Sequence, residues 1–153
     1  MRKYLAVAVL MVSALALAGG GETLWRALQQ SMYAVNWHYV PGRPPGFYQG
    51  SEPHGAMLRT FVNNIAYDAI RAKAASYPEG AIIAKENYSA DGQKLGAITV
   101  MKKIKGYDPE HGDWFWAKYG PDGKVLAAGK VAGCIACHTG AEEQDWVFSA
   151  KIK

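Results

Sequence analysis

The chain has 153 residues, half of them apolar and 12% aromatic, with a formal charge of +4. That length suits one domain with a core of ordinary size, and the composition excludes a disordered chain. The charge is too small to require nucleic acid or an acidic membrane as partner, and the one lysine cluster, Lys102, Lys103 and Lys105, reads as a solvated face.

The N-terminus reads as a secretory signal. Met1-Arg2-Lys3 is basic, Tyr4 to Leu17 is almost wholly apolar, and Ala16-Leu17-Ala18 is an A-x-A cleavage site before three glycines. The apolar run is short for a membrane span. Residues 1–18 are therefore expected to be removed, leaving 19–153 as a single periplasmic domain without stable membrane insertion. Cleavage takes Arg2 and Lys3 and no acid, so the charge falls from +4 to +2.

A helix is expected from Glu22 to Val35, with Leu24, Leu28 and Met32 at helical spacing. Residues 36–55, with four glycines and four prolines, should be irregular. Their aromatic residues Trp37, Tyr39, Phe47 and Tyr48 nevertheless call for burial, so the segment should cover something. Met57 to Val62 reads as a strand, and Asn63 or Asn64 can cap a helix from Ile65 to Ser76. Strands follow at Ala81 to Tyr88, Leu95 to Ile104 and Trp114 to Tyr119, punctuated by the turn residues Ala90-Asp91-Gly92 and Pro121-Asp122-Gly123. Gly133 leads into a short helix, and Ala141 to Phe148 closes the fold. The order predicts an α+β class: an antiparallel meander packed with helices.

The chemistry sits in that last helix. "VAGCIACHTG", residues 131–140, holds the only two cysteines, Cys134 and Cys137, with His138 directly after them. In an oxidising compartment two such thiols could form a disulfide. A zinc site is poor, because no second cysteine pair exists. The immediate histidine decides for covalent haem c: in C-x-x-C-H the thiols take the haem vinyl groups and the histidine binds iron. One haem c is thus expected, held on the sheet by Cys134 and Cys137, with His138 as proximal ligand. No Met or His follows His138, and Met32, Met57 and Met101 all precede it, which points to an open distal position.

From about His54 to Phe148 the chain resembles the cytochrome P460 family, itself related to cytochrome c′-β. The resemblance is carried by "YPEGAIIAKENY" (77–88), "AITVMKKIKGYDPEHGDWFWAKYGPDGKV" (97–125), "GKVAGCIACH" (129–138) and "DWVFS" (145–149). It implies an antiparallel sheet with helices, a homodimer and one haem c. It also implies hydroxylamine oxidation, or handling of NO, with electrons passed to an external redox partner. The alternative it leaves open is a non-catalytic cytochrome that binds NO or CO or carries electrons. It further implies that Lys85 is bonded to the porphyrin. Strand alternation puts Lys85 on one face with Ile83 and Asn87, where an apolar setting would favour the nucleophilic neutral amine. The same position also suits a lysine snorkelling to water. His54, in "SEPHG", is a candidate distal ligand or proton carrier, or a histidine bonded within its loop. His38 and His111 are weaker candidates. Phe61, Trp114, Phe115 and Trp116 should pack the core, one or two of them against haem. Glu86 should face away from Lys85.

Overall fold

The computed structural model describes residues 20–148, so the expected signal segment lies outside the described residues. Over the described residues the fold is α+β, an open antiparallel sheet of seven strands with four helices. The helices are α1 (Gly20–Gln30), α2 (Tyr33–Asn36), α3 (Asn64–Arg71) and α4 (Ala132–His138). The strands are β1 (His38–Tyr39), β2 (Tyr48–Gln49), β3 (Met57–Val62), β4 (Ile82–Tyr88), β5 (Leu95–Lys103), β6 (Trp114–Tyr119) and β7 (Val125–Gly129). β3 to β7 run as a meander, and β1 and β2 both pair with the outer edge of β3. No helix among the described residues is long and apolar enough to cross a membrane.

Several details differ from the sequence reading: Tyr39 and Phe47, expected to be buried, are exposed, and Lys103, expected on a solvated face, turns inward to Asp145. The first helix stops at Gln30, because Met32 takes a left-handed conformation (φ 47°) before α2 begins. α3 ends at Arg71, with Lys73 also left-handed at φ 49°. Two two-residue strands lie in the segment expected to be irregular. β7 joins the sheet after Pro121-Asp122-Gly123. Asn63, not Asn64, is the cap. Its Oδ1 accepts from the backbone N–H of Ala66 (3.0 Å) and of Ile82 (3.1 Å), and its Nδ2 donates to the Gly80 carbonyl (2.8 Å). One side chain thus starts the helix and ties it to β4.

The sheet buries both faces, as period-2 alternation dictates. On the back face, Phe61, Ala84, Ile98, Val100, Phe115, Ala117 and Tyr119 pack under Leu24, Leu28 and Tyr33. Helix α1 approaches β7 so closely that a Cβ on Gly21 would lie 2.8 Å from the Ala128 Cβ. The Tyr119 hydroxyl donates to the Gly21 carbonyl at 2.8 Å. On the front face, Val62, Ile83, Met101, Trp114 and Trp116 pack with α3, Tyr77 and the C-terminal turn at Trp146 and Val147, and Cys134 and Ile135 of α4 rest on this cluster. The front face therefore receives the cysteine-bearing helix.

Candidate functional site

A hollow opens on the front face between β4, β5, β6 and α4. It is walled by Ile83, Met101, Trp116 and Val147. Lys85, His54, Cys134, Cys137 and His138, the five residues singled out in the sequence, all line it. Register explains the assembly. Lys85 pairs with Thr99, and Ile83 with Met101, which pairs with Trp116. A single row of inward side chains thus crosses three strands.

Helix α4 is short because the motif needs only two turns. Cys134 and Cys137 are both free thiols, half-buried and exposed respectively. His138, at the end of the helix, is buried, its ring centre 4.7 Å from that of Trp116 and 5.4 Å from that of Phe148. Its Nδ1–H donates to the Trp146 carbonyl at 2.6 Å. That bond fixes the tautomer and leaves Nε2 as a lone pair, the arrangement found at metal-binding histidines. Burial, the largest effect, lowers the His138 pKa. The Trp146 bond opposes it and the Lys85 charge adds to it.

His54 enters from the loop after β2. Asn87 orients it. The Asn87 Nδ2 donates to the carbonyls of Lys85 (2.9 Å) and Ala97 (3.1 Å), so its Oδ1 must be the atom turned to His54 Nδ1 at 3.1 Å. His54 Nδ1 therefore donates, and Nε2 is again a bare lone pair. Burial first, then Lys85 and His138, push the His54 pKa down to about 4. The two rings stand edge to face, 6.2 Å between centres.

Lys85 is half-buried on β4. Burial, then Arg43, lower its pKa to about 8, while Cys137 works the other way. The neutral amine is then a minor form at neutral pH, about a tenth of the population, but far more abundant than for an exposed lysine. A second hollow along the same wall brings Arg43, Tyr48 and Phe148 beside Lys85 and His138.

The other candidates fall elsewhere. His38 stacks on Tyr67 (4.0 Å) and contacts Asn64 Oδ1 (3.1 Å). His111 pairs with Asp108 at 3.0 Å, behind Trp146. Glu86 faces the back of the sheet, where Tyr33, Arg59 and Tyr88 bond it. Of the aromatic residues, Trp116 lines the hollow while Phe61 and Phe115 pack the back face. The sequence reading did not single out Asn87, Thr99 or Met101 as site residues, or Asp145 and Trp146 behind His138. Only the strand register and the C-terminal turn bring them in.

The residues fit a haem. Two thiols one helical turn apart and a histidine with Nε2 available could supply attachment and iron ligation, and the walls between them are apolar. The Trp116 Nε1–H, buried beside the hollow, has no hydrogen-bond partner among the described residues, a donor that a bound group could satisfy.

The sequence model of one family, cytochrome P460, matches residues 46–149, which includes every residue that lines the first hollow. No curated protein matches the chain. The match spans more than half of the sequence, and the chain belongs to the cytochrome P460 family, a haem protein family.

Proposed function

We propose that this member of the cytochrome P460 family is a periplasmic mono-haem c-type cytochrome that oxidises hydroxylamine, or handles NO, and passes the electrons to an external acceptor. The observation that carries the reading is the recess itself. An amine whose pKa burial lowers and an imidazole with a bare nitrogen share apolar walls with the Cys-x-x-Cys-His helix. Haem bound here would supply an iron for the nitrogen ligand and a path for its electrons.

The residues divide the work. Cys134 and Cys137 would hold the haem by thioethers, and His138 would present Nε2 to the iron. Lys85, its amine shifted toward the neutral form by burial, would bond its Nζ to a ring carbon, a step that gives up two protons and two electrons and so needs an oxidant such as a peroxide. His54, neutral at physiological pH, accepts a proton from the bound substrate at Nε2. Ile83, Met101 and Val147 exclude water, which strengthens each of these interactions. The export signal supports a periplasmic site of action, and the family resemblance supports a homodimer.

Steady-state turnover of hydroxylamine with an artificial electron acceptor tests the reading. Wild-type protein should turn over, and Lys85→Arg, which keeps the charge but not the primary amine, should not. If Lys85 is free of haem and the variant is as active as the wild type, the protein is instead a c′-β-like binder of NO or CO. One observation favours a second reading. The His54 and His138 rings are only 6.2 Å apart, close enough for both to ligate one iron in an electron carrier. A low-spin spectrum that resists CO, and becomes high-spin in His54→Ala, would select it.

A further inference from the structure

The turn behind His138 is built from two consecutive non-glycine residues with positive φ, Asp145 at 53° and Trp146 at 67°. Side chains rarely sit there, because Cβ crowds the backbone, and such a pair persists only where its surroundings hold it. The surroundings converge on Asp145. Lys103 Nζ lies 2.7 Å from both of its carboxylate oxygens. The Tyr77 backbone N–H donates to Oδ2 at 2.7 Å, and Trp114 Nε1–H donates to the Asp145 carbonyl at 2.9 Å. The ion pair is nearly dry, its side chains 11% and 10% exposed. Trp146 is pinned as well. Its N–H donates to the Ala141 carbonyl at 2.8 Å, and its ring fills the space over Gly112, where a Cβ would come within 2.6 Å of Cδ1. The Trp146 carbonyl, oriented by these two residues, is the acceptor for His138 Nδ1–H.

We propose that Asp145, clamped by Lys103, Tyr77 and Trp114, is the positioning residue of the proximal ligand. It sets the direction and strength of the His138 Nδ1–H bond to the Trp146 carbonyl, and through it the donor strength of His138 toward iron. The inference rests on the reading of His138 as the iron ligand. The physical link is general: a strong acceptor at Nδ1 fixes the ring and makes Nε2 a stronger donor, and donor strength is one of the levers on haem potential. Lys103 lies 35 residues before His138 in the sequence and does not line the hollow. Its influence would run through Asp145.

The test uses haem-loaded protein with two readouts, the reduction potential and the iron–histidine vibration in the resonance Raman spectrum just after photolysis of the CO complex. Asp145→Ala and Lys103→Met should lower the vibrational frequency and raise the potential. Trp114→Phe, which keeps every charge, should shift both in the same direction by less. Asp145→Asn, which keeps an acceptor for Tyr77, should fall between wild type and Asp145→Ala. If Asp145→Ala does not load haem, the other variants carry the test. Arg59→Met removes an ion pair on the opposite face of the sheet. It should lower the melting temperature and leave both readouts in place. Unmoved frequency and potential in the loaded clamp variants would overturn the inference, as would an equal shift in Arg59→Met. A vibration that survives in His138→Ala would overturn the ligand assignment itself.

Discussion

His54 and Lys85 share the hollow, and their environments push both toward the neutral form by the same cause, burial ahead of neighbouring charge. The network around Asn87 makes the role of His54 specific. Because the Asn87 amide is committed to two backbone carbonyls, the imidazole can only donate from Nδ1, and Nε2 is left to act. His54→Ala should therefore lower hydroxylamine turnover by about 100-fold, the low end of general-base contributions, with the resting haem spectrum unchanged. Parallel kinetics and absorption spectra of the variant check this. Asn87→Leu should give a smaller loss, because the base remains but is no longer oriented.

At the level of elements, Asn63 joins α3 to β4 with three hydrogen bonds. Asn63→Ala removes a helix cap and leaves the Ile82 N–H without its acceptor, so a loss of about 2–3 kcal/mol in denaturant unfolding is expected. Leu28→Ala, in the helix that covers the back of the sheet, should cost about 2–5 kcal/mol by leaving a cavity under α1. Strands β3 to β6 were legible in the sequence because they are rich in β-branched and aromatic residues and most are bounded by turn chemistry. β7, "VLAAG", was not, since alanine and glycine carry no strand signal and the pairing to β6 alone makes it a strand. β1 and β2, two residues each, are too short for any periodicity to appear. The Cys134, Cys137 and His138 triplet was visible because its members are adjacent. Thr99 and Met101 emerge only from the pairing of β5 with Lys85 and Ile83, and Asp145 only from a turn whose left-handed residues no local pattern announces.

In the whole molecule, the two faces of one sheet have different tasks. The back face is closed by α1 and secured by Glu86, which is 4% exposed and bonded by Arg59, Tyr33 and Tyr88. Glu86→Ala would strand those donors. Arg59 stays partly solvated, so the expected cost is about 2 kcal/mol, below that of breaking a fully buried pair. Thermal unfolding should show it, while the haem spectrum stays as in wild type, because the hollow is on the other side. The front face keeps a gap that its own side chains do not fill and sets two thiols, two imidazoles and an amine around it. On the proposed function, this gap holds a haem joined to the chain at both walls. Peptide mapping by mass spectrometry of protein matured in a periplasm tests it most directly. A single haem mass linking the Cys134–His138 peptide to a peptide that contains an uncleaved Lys85 is expected. A haem-free chain with a Cys134–Cys137 disulfide would contradict it.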